Sequence, residues 1–414
     1  MQRVETLDHS GPAGQARAFR RRVFYIPGYD PIHPRRYREL YRKEGSAQAR
    51  MSGYRIDLKP KKLTGPYGWH VSGVIDGGLA EADVEVLVWS DIVKTSMAQG
   101  IAATYLQLVR TAWAYIGSGA LFRLMRLRKG PMIAALYPVA MLLVQLLVAG
   151  LAGWGLGRIG ALLHPALGWA IGAALAVMVL RLFRRHDNKF FAYYLMHDYA
   201  YAAQSGGAYP PGLEARMASF RTALAAAMQG DFDEVLVVGH SSGAHLAVSI
   251  LADLIRGGLP ARRPALGFLS LGQVVPMVSF LPRATRLRAD LHYLAARAEL
   301  TWVDVTAPGD GCAFALCDPV AVTGVSPADK RWPLVISAAF SQTLSAARWR
   351  ELRWRFFRLH FQYLCAFDAL RGGAGDYDYF RITAGAIPLA ARYAGRPASK
   401  SRIETAVSGY RTLA

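Results

Sequence analysis

Cysteine is scarce: Cys312, Cys317 and Cys365 are the only three in 414 residues. An odd, scattered set is no disulfide framework and fits a reducing compartment. Cys312 and Cys317 have no histidine or further cysteine at ligand spacing, which favours packed thiols over a zinc site. Acidic residues are also few, 29 against 49 Lys and Arg, so the chain carries a net charge of +20 although only 19% of it is charged. Such an excess can serve nucleic acid, an anionic membrane surface or acidic substrates. Without zinc-finger spacing or an aromatic RNA-binding motif, the charge does not argue for nucleic acid, and no nucleic-acid partner is expected. The opening segment, MQRVETLDHSGPAGQARAFRRR, has no apolar run behind its charges. It does not read as a signal peptide, and a flexible basic arm is expected over 1–21.

Hydrophobic residues, by contrast, make up 53% of the chain. Residues 131–157 hold no charge, and 159–180 hold none beyond His164. Each run reaches the roughly 20 apolar residues needed to cross hydrocarbon, so the pair reads as a transmembrane helical hairpin over about 131–180, turning near Trp154 to Arg158. Arg123, Arg126, Arg128 and Lys129 precede it, and Arg181, Arg184, Arg185 and Lys189 follow. Lys and Arg mark the cytoplasmic side, which places both outer ends and the folded remainder there, at the inner membrane of a bacterium. Residues 101–130 mix apolar residues with late arginines and suit an interfacial helix or an ordinary surface helix.

With this insertion (96–199) set aside, 22–95 and 200–414 read as one split α/β domain. Strand candidates are 22–30, 54–60, 83–93, 234–238, 265–272, 299–308 and 332–340; helices are expected over 34–48 and from Pro211 to Met228. Apolar strands separated by helices imply a mostly parallel sheet flanked by helices on both faces.

EVLVVGHSSGAHLAVSI, at 234–250, joins a β-branched strand to a helix through Gly239-His240-Ser241-Ser242-Gly243. A Gly-x-Ser-x-Gly between strand and helix suits a nucleophile elbow, with small residues where backbones approach closely. A phosphate-binding loop would want more glycines and a lysine before its hydroxyl residue, and has neither. Here the chain resembles the α/β-hydrolase family of serine esterases and lipases. The resemblance implies Ser241 as nucleophile and the chain order Ser, Asp or Glu, His. By that order the acid is Asp310, in the GDG after the 299–308 strand, with Asp304 and Asp318 as rivals. His360 is the one histidine beyond Asp310. His240 and His245 belong to the elbow and its helix. The oxyanion donors implied are the N–H of Ser242 and that of Tyr29 in YIPGYD, with Gly28 allowing close approach; Asp30 is expected to cap the next helix.

These expectations amount to a membrane-anchored serine hydrolase acting on a small acyl or lipid-derived ester at the bilayer, with no metal or organic cofactor required. Acyl transfer on the same triad is one alternative. A membrane-tethered scaffold with an inactive hydrolase fold is the other.

Overall fold

The computed structural model describes residues 17–61, 64–370 and 377–414. Most of the expected arm, 1–16, lies outside the described residues. Phe19–Arg21, assigned to that arm, instead begin β1 (Phe19–Ile26). The charged residues enter a strand because each finds a partner: Arg21 Nε donates to Glu234 Oε2 at 2.5 Å, and Arg22 pairs with Glu85 at 3.0 Å.

The architecture is α/β. Helix α1 (Arg35–Ser52) is followed by β2 (Arg55–Pro60), β3 (Gly68–Ile75) and β4 (Gly78–Val86). After the segment 90–228 come β5 (Glu234–His240), β6 (Ala265–Leu271), β7 (Thr301–Thr306) and β8 (Leu334–Ser337). One eight-stranded sheet runs in the order β2-β3-β4-β1-β5-β6-β7-β8, and only β3 opposes the other strands. The expected strand 83–93 is corrected at both ends. It is the second half of a β3–β4 hairpin turning on Asp76 and Gly77 (φ 54° and 76°), and a helix starts at Ser90. Successive residues of β1 feed opposite cores: Val23 and Tyr25 pack on one face with Tyr37 and Tyr41, Phe24 and Ile26 on the other with Leu246 and Ile250. That alternation buries both faces, as a sheet with two helical layers requires.

Between β4 and β5 run α2 (Ser90–Met97), α3 (Ile101–Gly117), α4 (Ala120–Leu124), α5 (Lys129–Ala161), α6 (Pro165–Arg185), α7 (Asp187–Phe190), α8 (Ala192–Ala203) and α9 (Pro211–Met228). Helix α9 has the expected bounds. Helices α5 and α6 are both long and apolar enough to cross a membrane. Their hairpin turns at 162–164, not near Trp154 to Arg158, which lie within α5. The glycines that suggested a turn form the contact between the helices. A Cβ on Gly153 would fall 2.5 Å from the Gly172 carbonyl oxygen, and one on Gly168 would fall 2.6 Å from that of Gly157. Small residues let helix backbones approach this closely. The outer faces are apolar and uncovered, with Leu147, Trp154 and Trp169 all more than half exposed.

Candidate active site

Ser241 follows β5 and precedes α10 (Gly243–Arg256), at φ +56° in the left-handed region. An L-residue there costs about 1–2 kcal/mol, so the surroundings must impose it. They do so by contact. A Cβ on Gly243 would fall 2.1 Å from the Ile26 carbonyl oxygen, and one on Gly239 would fall 2.8 Å from Ala244 Cα. The turn is held by Ser241 N–H to the Leu271 carbonyl at 2.9 Å and Ala244 N–H to the Ser241 carbonyl at 3.1 Å. Its apex therefore stands at the carboxyl end of the parallel strands, where open α/β sheets place their crevices.

The three residues expected to act together come from distant parts of the chain. Asp310 lies in the turn after β7, closed by its N–H to the Ala307 carbonyl. His360 ends a short helix, Phe356–His360, and its Nδ1 lies 2.7 Å from Asp310 Oδ2. An Nδ1–H facing this carboxylate leaves Nε2 as the acceptor. The imidazole also lies against the β6 end: a Cβ on Gly272 would fall 3.1 Å from His360 Cε1, one residue beyond the carbonyl that holds Ser241. Ser241 and His360 line the same cavity of about 820 Å³. Among the described residues neither Ser241 Oγ nor His360 Nε2 has a hydrogen bond, a looseness common before substrate binds.

Asp310 is buried, which by itself disfavours its charge. The His360 charge and hydrogen bond, the Cys312 N–H at 2.9 Å and the Tyr363 hydroxyl at 3.0 Å outweigh that, and hold its carboxyl below the usual range. The rivals are engaged elsewhere. Asp304 accepts from Ser270 Oγ at 2.5 Å inside the sheet, and burial pushes it up to about 8. Asp318 accepts from the amides of Val320 and Ala321 as the cap of a short helix and pairs with Lys330.

The donors expected for an oxyanion lie on the same cavity, as does Gly28, whose Cβ would fall 2.9 Å from Ser241 Cβ and 3.4 Å from Ser241 Oγ. The amides of Ser242 and Tyr29 make no hydrogen bond among the described residues and remain available. Asp30 does not cap α1, whose cap position is Pro34. It accepts from the Ile32 amide at 2.9 Å and the Tyr37 hydroxyl at 2.6 Å, bracing the loop that carries Tyr29.

Four further residues meet at the site in places that the sequence does not assign them. His240 Nε2 lies 3.0 Å from the His360 carbonyl oxygen, and burial lowers its pKa to about 3, so it is a neutral prop packed against the His360 imidazole. Tyr363 binds Asp310 and also accepts from the Ala307 amide at 3.0 Å. Cys312 brings its sulfur within 4.8 Å of the Asp310 and His360 ligand atoms. Burial raises that thiol far above its ordinary value, and the facing Asp310 and His360 atoms already bond each other, which suits a proton relay better than a metal. The fourth, Asp198, lines the cavity from α8. His245 is stacked on Tyr209, its Nδ1 3.2 Å from the phenol, and burial lowers its pKa to about 3.

The insertion supplies much of the cavity wall. Pro131, Ile133, Ala134 and Tyr137 at the base of α5 line it, as do Phe191, Tyr194 and Tyr199 after α6. Trp354, Phe356 and Phe357 line it too, Phe357 with its ring centroid 5.0 Å from that of Phe191 and Trp354 73% exposed. The wall is largely apolar, rimmed by Lys189, Arg355 and Arg358. No protein-family model, curated protein or solved structure matches the chain.

Proposed function

We propose that the chain is a membrane-anchored serine hydrolase of the α/β-hydrolase type that cleaves an acyl ester drawn from lipid. The reading rests above all on one observation: a serine forced to φ +56° at the strand ends shares a cavity with a histidine already oriented by a buried carboxylate. A serine hydroxyl needs a base, and that base a third group to fix its tautomer.

In this mechanism Ser241 Oγ attacks the ester carbonyl while its proton passes to His360 Nε2. The carbonyl oxygen takes the negative charge between the Ser242 and Tyr29 amides. The imidazolium, balanced by Asp310, then gives its proton to the departing alkoxide as the C–O bond breaks, leaving an acyl-serine. Water, deprotonated by His360, attacks that acyl carbon; the Oγ–carbon bond breaks, the proton returns to Oγ, and a carboxylic acid leaves. No step asks for a group the chain does not carry. The hairpin spans the bilayer with its arginine-rich ends on the cytoplasmic side. The wall at its base and the exposed Trp354 and Phe356 then meet the membrane interface, where an acyl chain can enter an apolar cavity directly.

The test is fluorophosphonate labelling of membrane fractions bearing the wild type, Ser241→Ala or His360→Ala. Labelling of the wild type alone, with all three folded, supports the reading. A folded wild type that stays unlabelled beside a reactive control hydrolase would favour the inactive scaffold.

A further inference from the structure

We propose that Asp198 is the specificity residue for the alcohol half of the substrate, and that this alcohol carries a free hydroxyl beside its ester. The inference rests on the serine-hydrolase reading and extends it to the substrate class.

Asp198 lies on α8, the helix that brings the chain back from the hairpin, and lines the cavity shared by Ser241, Ser242 and His360. It has no hydrogen bond or ion pair among the described residues, whereas the other acids at this end of the sheet are engaged: Asp30 by Tyr37, Asp310 by His360. Asp198 is half-buried and keeps part of its surface open to the cavity, so a ligand seated there would withdraw the carboxyl from water and must itself supply the partner. Burial pushes its pKa up to about 7, against a smaller opposing effect of the His360 charge. Asp198 and His360 line the same cavity and lie within electrostatic reach of each other.

The partner's chemistry follows from the neighbours. A cationic head group at Asp198 would sit beside His360 just as the imidazole becomes positive, inside a rim already holding Lys189, Arg355 and Arg358. Like charges disfavour that arrangement. A hydroxyl has no such penalty, and it can bond to a carboxyl in either protonation state by donating or accepting. A polyol monoester of a fatty acid, its chain along the apolar wall and its second hydroxyl at Asp198, satisfies each element of the cavity.

The experiment compares a monoacylglycerol with the propyl ester of the same fatty acid, which keeps the carbon skeleton and lacks both hydroxyls. Both are presented in mixed micelles to the full-length wild type, Asp198→Leu and Asp198→Asn. One hydrogen bond to a carboxyl group is worth about a tenfold to hundredfold change in kcat/KM. The wild type is expected to prefer the glycerol ester by at least that factor. Leu should collapse the ratio towards unity, and Asn, which can still bond a hydroxyl, should retain most of it. A merely structural role would lower both esters together. Equal loss on both esters, or no preference in the wild type, overturns the proposal. A wild type that takes fluorophosphonate but cleaves neither ester overturns it while leaving the reactive serine standing. A wild type that does not react with fluorophosphonate sinks the serine-hydrolase reading and this proposal with it.

Discussion

Replacing Gly243 by alanine tests the turn by its sterics alone. The added Cβ would stand 2.1 Å from the Ile26 carbonyl oxygen and 2.7 Å from that of Pro27. Both obstacles are backbone, and β1 is laddered to β4 and β5 on either side, so neither can rotate away. Overpacking a core costs about 1–3 kcal/mol when side chains can adjust. Here a strand end must move, which sets the expectation at about 3 kcal/mol. In a large domain that corresponds to a fall in melting temperature of about 6–12 °C. The displaced segment leads directly into Gly28 and Tyr29, so the amide proposed as an oxyanion donor at Tyr29 shifts as well. Loss of one such donor lowers rates by about 10²–10³-fold. Thermal unfolding in detergent and the rate of fluorophosphonate labelling measure the two effects separately. Gly212→Ala is the control, because a Cβ there meets nothing within 4 Å. If Gly243→Ala melted and labelled like the wild type, the close packing of elbow against β1 would be refuted, and with it the account of why Ser241 is strained.

Asp310→Asn should lower ester turnover by about 10⁴-fold with little change in fold, since an amide holds the wrong imidazole tautomer; unchanged turnover would remove Asp310 from the mechanism. Asp304 keeps its proton in the fold up to about pH 8, whereas in the unfolded chain it ionises near its ordinary value. Its contribution to stability is therefore complete below about pH 4 and lost as pH rises towards 8. Asp304→Asn should flatten melting temperature against pH across that window, and an unaltered slope would contradict the assignment. Gly153→Leu should force the hairpin apart and lower its melting temperature in detergent, while Gly155→Leu, with nothing within 4 Å, should be tolerated. Equal behaviour of the two would dismiss the glycine contact.

Local rules made much of the sheet legible. β5, β6, β7 and β8 are short apolar runs between turn residues, and the elbow announces itself by two glycines around a serine. The β3–β4 hairpin escaped notice although Asp76-Gly77 is a strong hairpin signal, because the polar alternation of β3 reads more weakly than a buried run. The hairpin turn was misplaced because glycine has two uses, and in α5 it serves contact and not reversal. At the site, the order of residues pointed to Asp310 and His360. The contact of His240 with His360 and the places of Tyr363 and Asp198 are illegible, since they depend on which strand ends and helices converge in space. Nothing in their own neighbourhoods encodes that convergence.

The unequal lengths of the two hairpin helices set a height. With the hairpin embedded as proposed, the 21 residues of α6 measure about 32 Å, close to the roughly 30 Å of a hydrocarbon core. The 33 residues of α5 measure about 50 Å, leaving some three turns standing clear of the hydrocarbon as a post. Pro131, Ile133, Ala134 and Tyr137 lie on that post. On the proposed reading the cavity of Ser241 and His360 then stands among the head groups, and a substrate would need to rise only by the reach of its own ester to arrive there. Such an enzyme would respond to the mole fraction of its substrate in the bilayer and to bilayer thickness, two variables that bulk concentration does not describe.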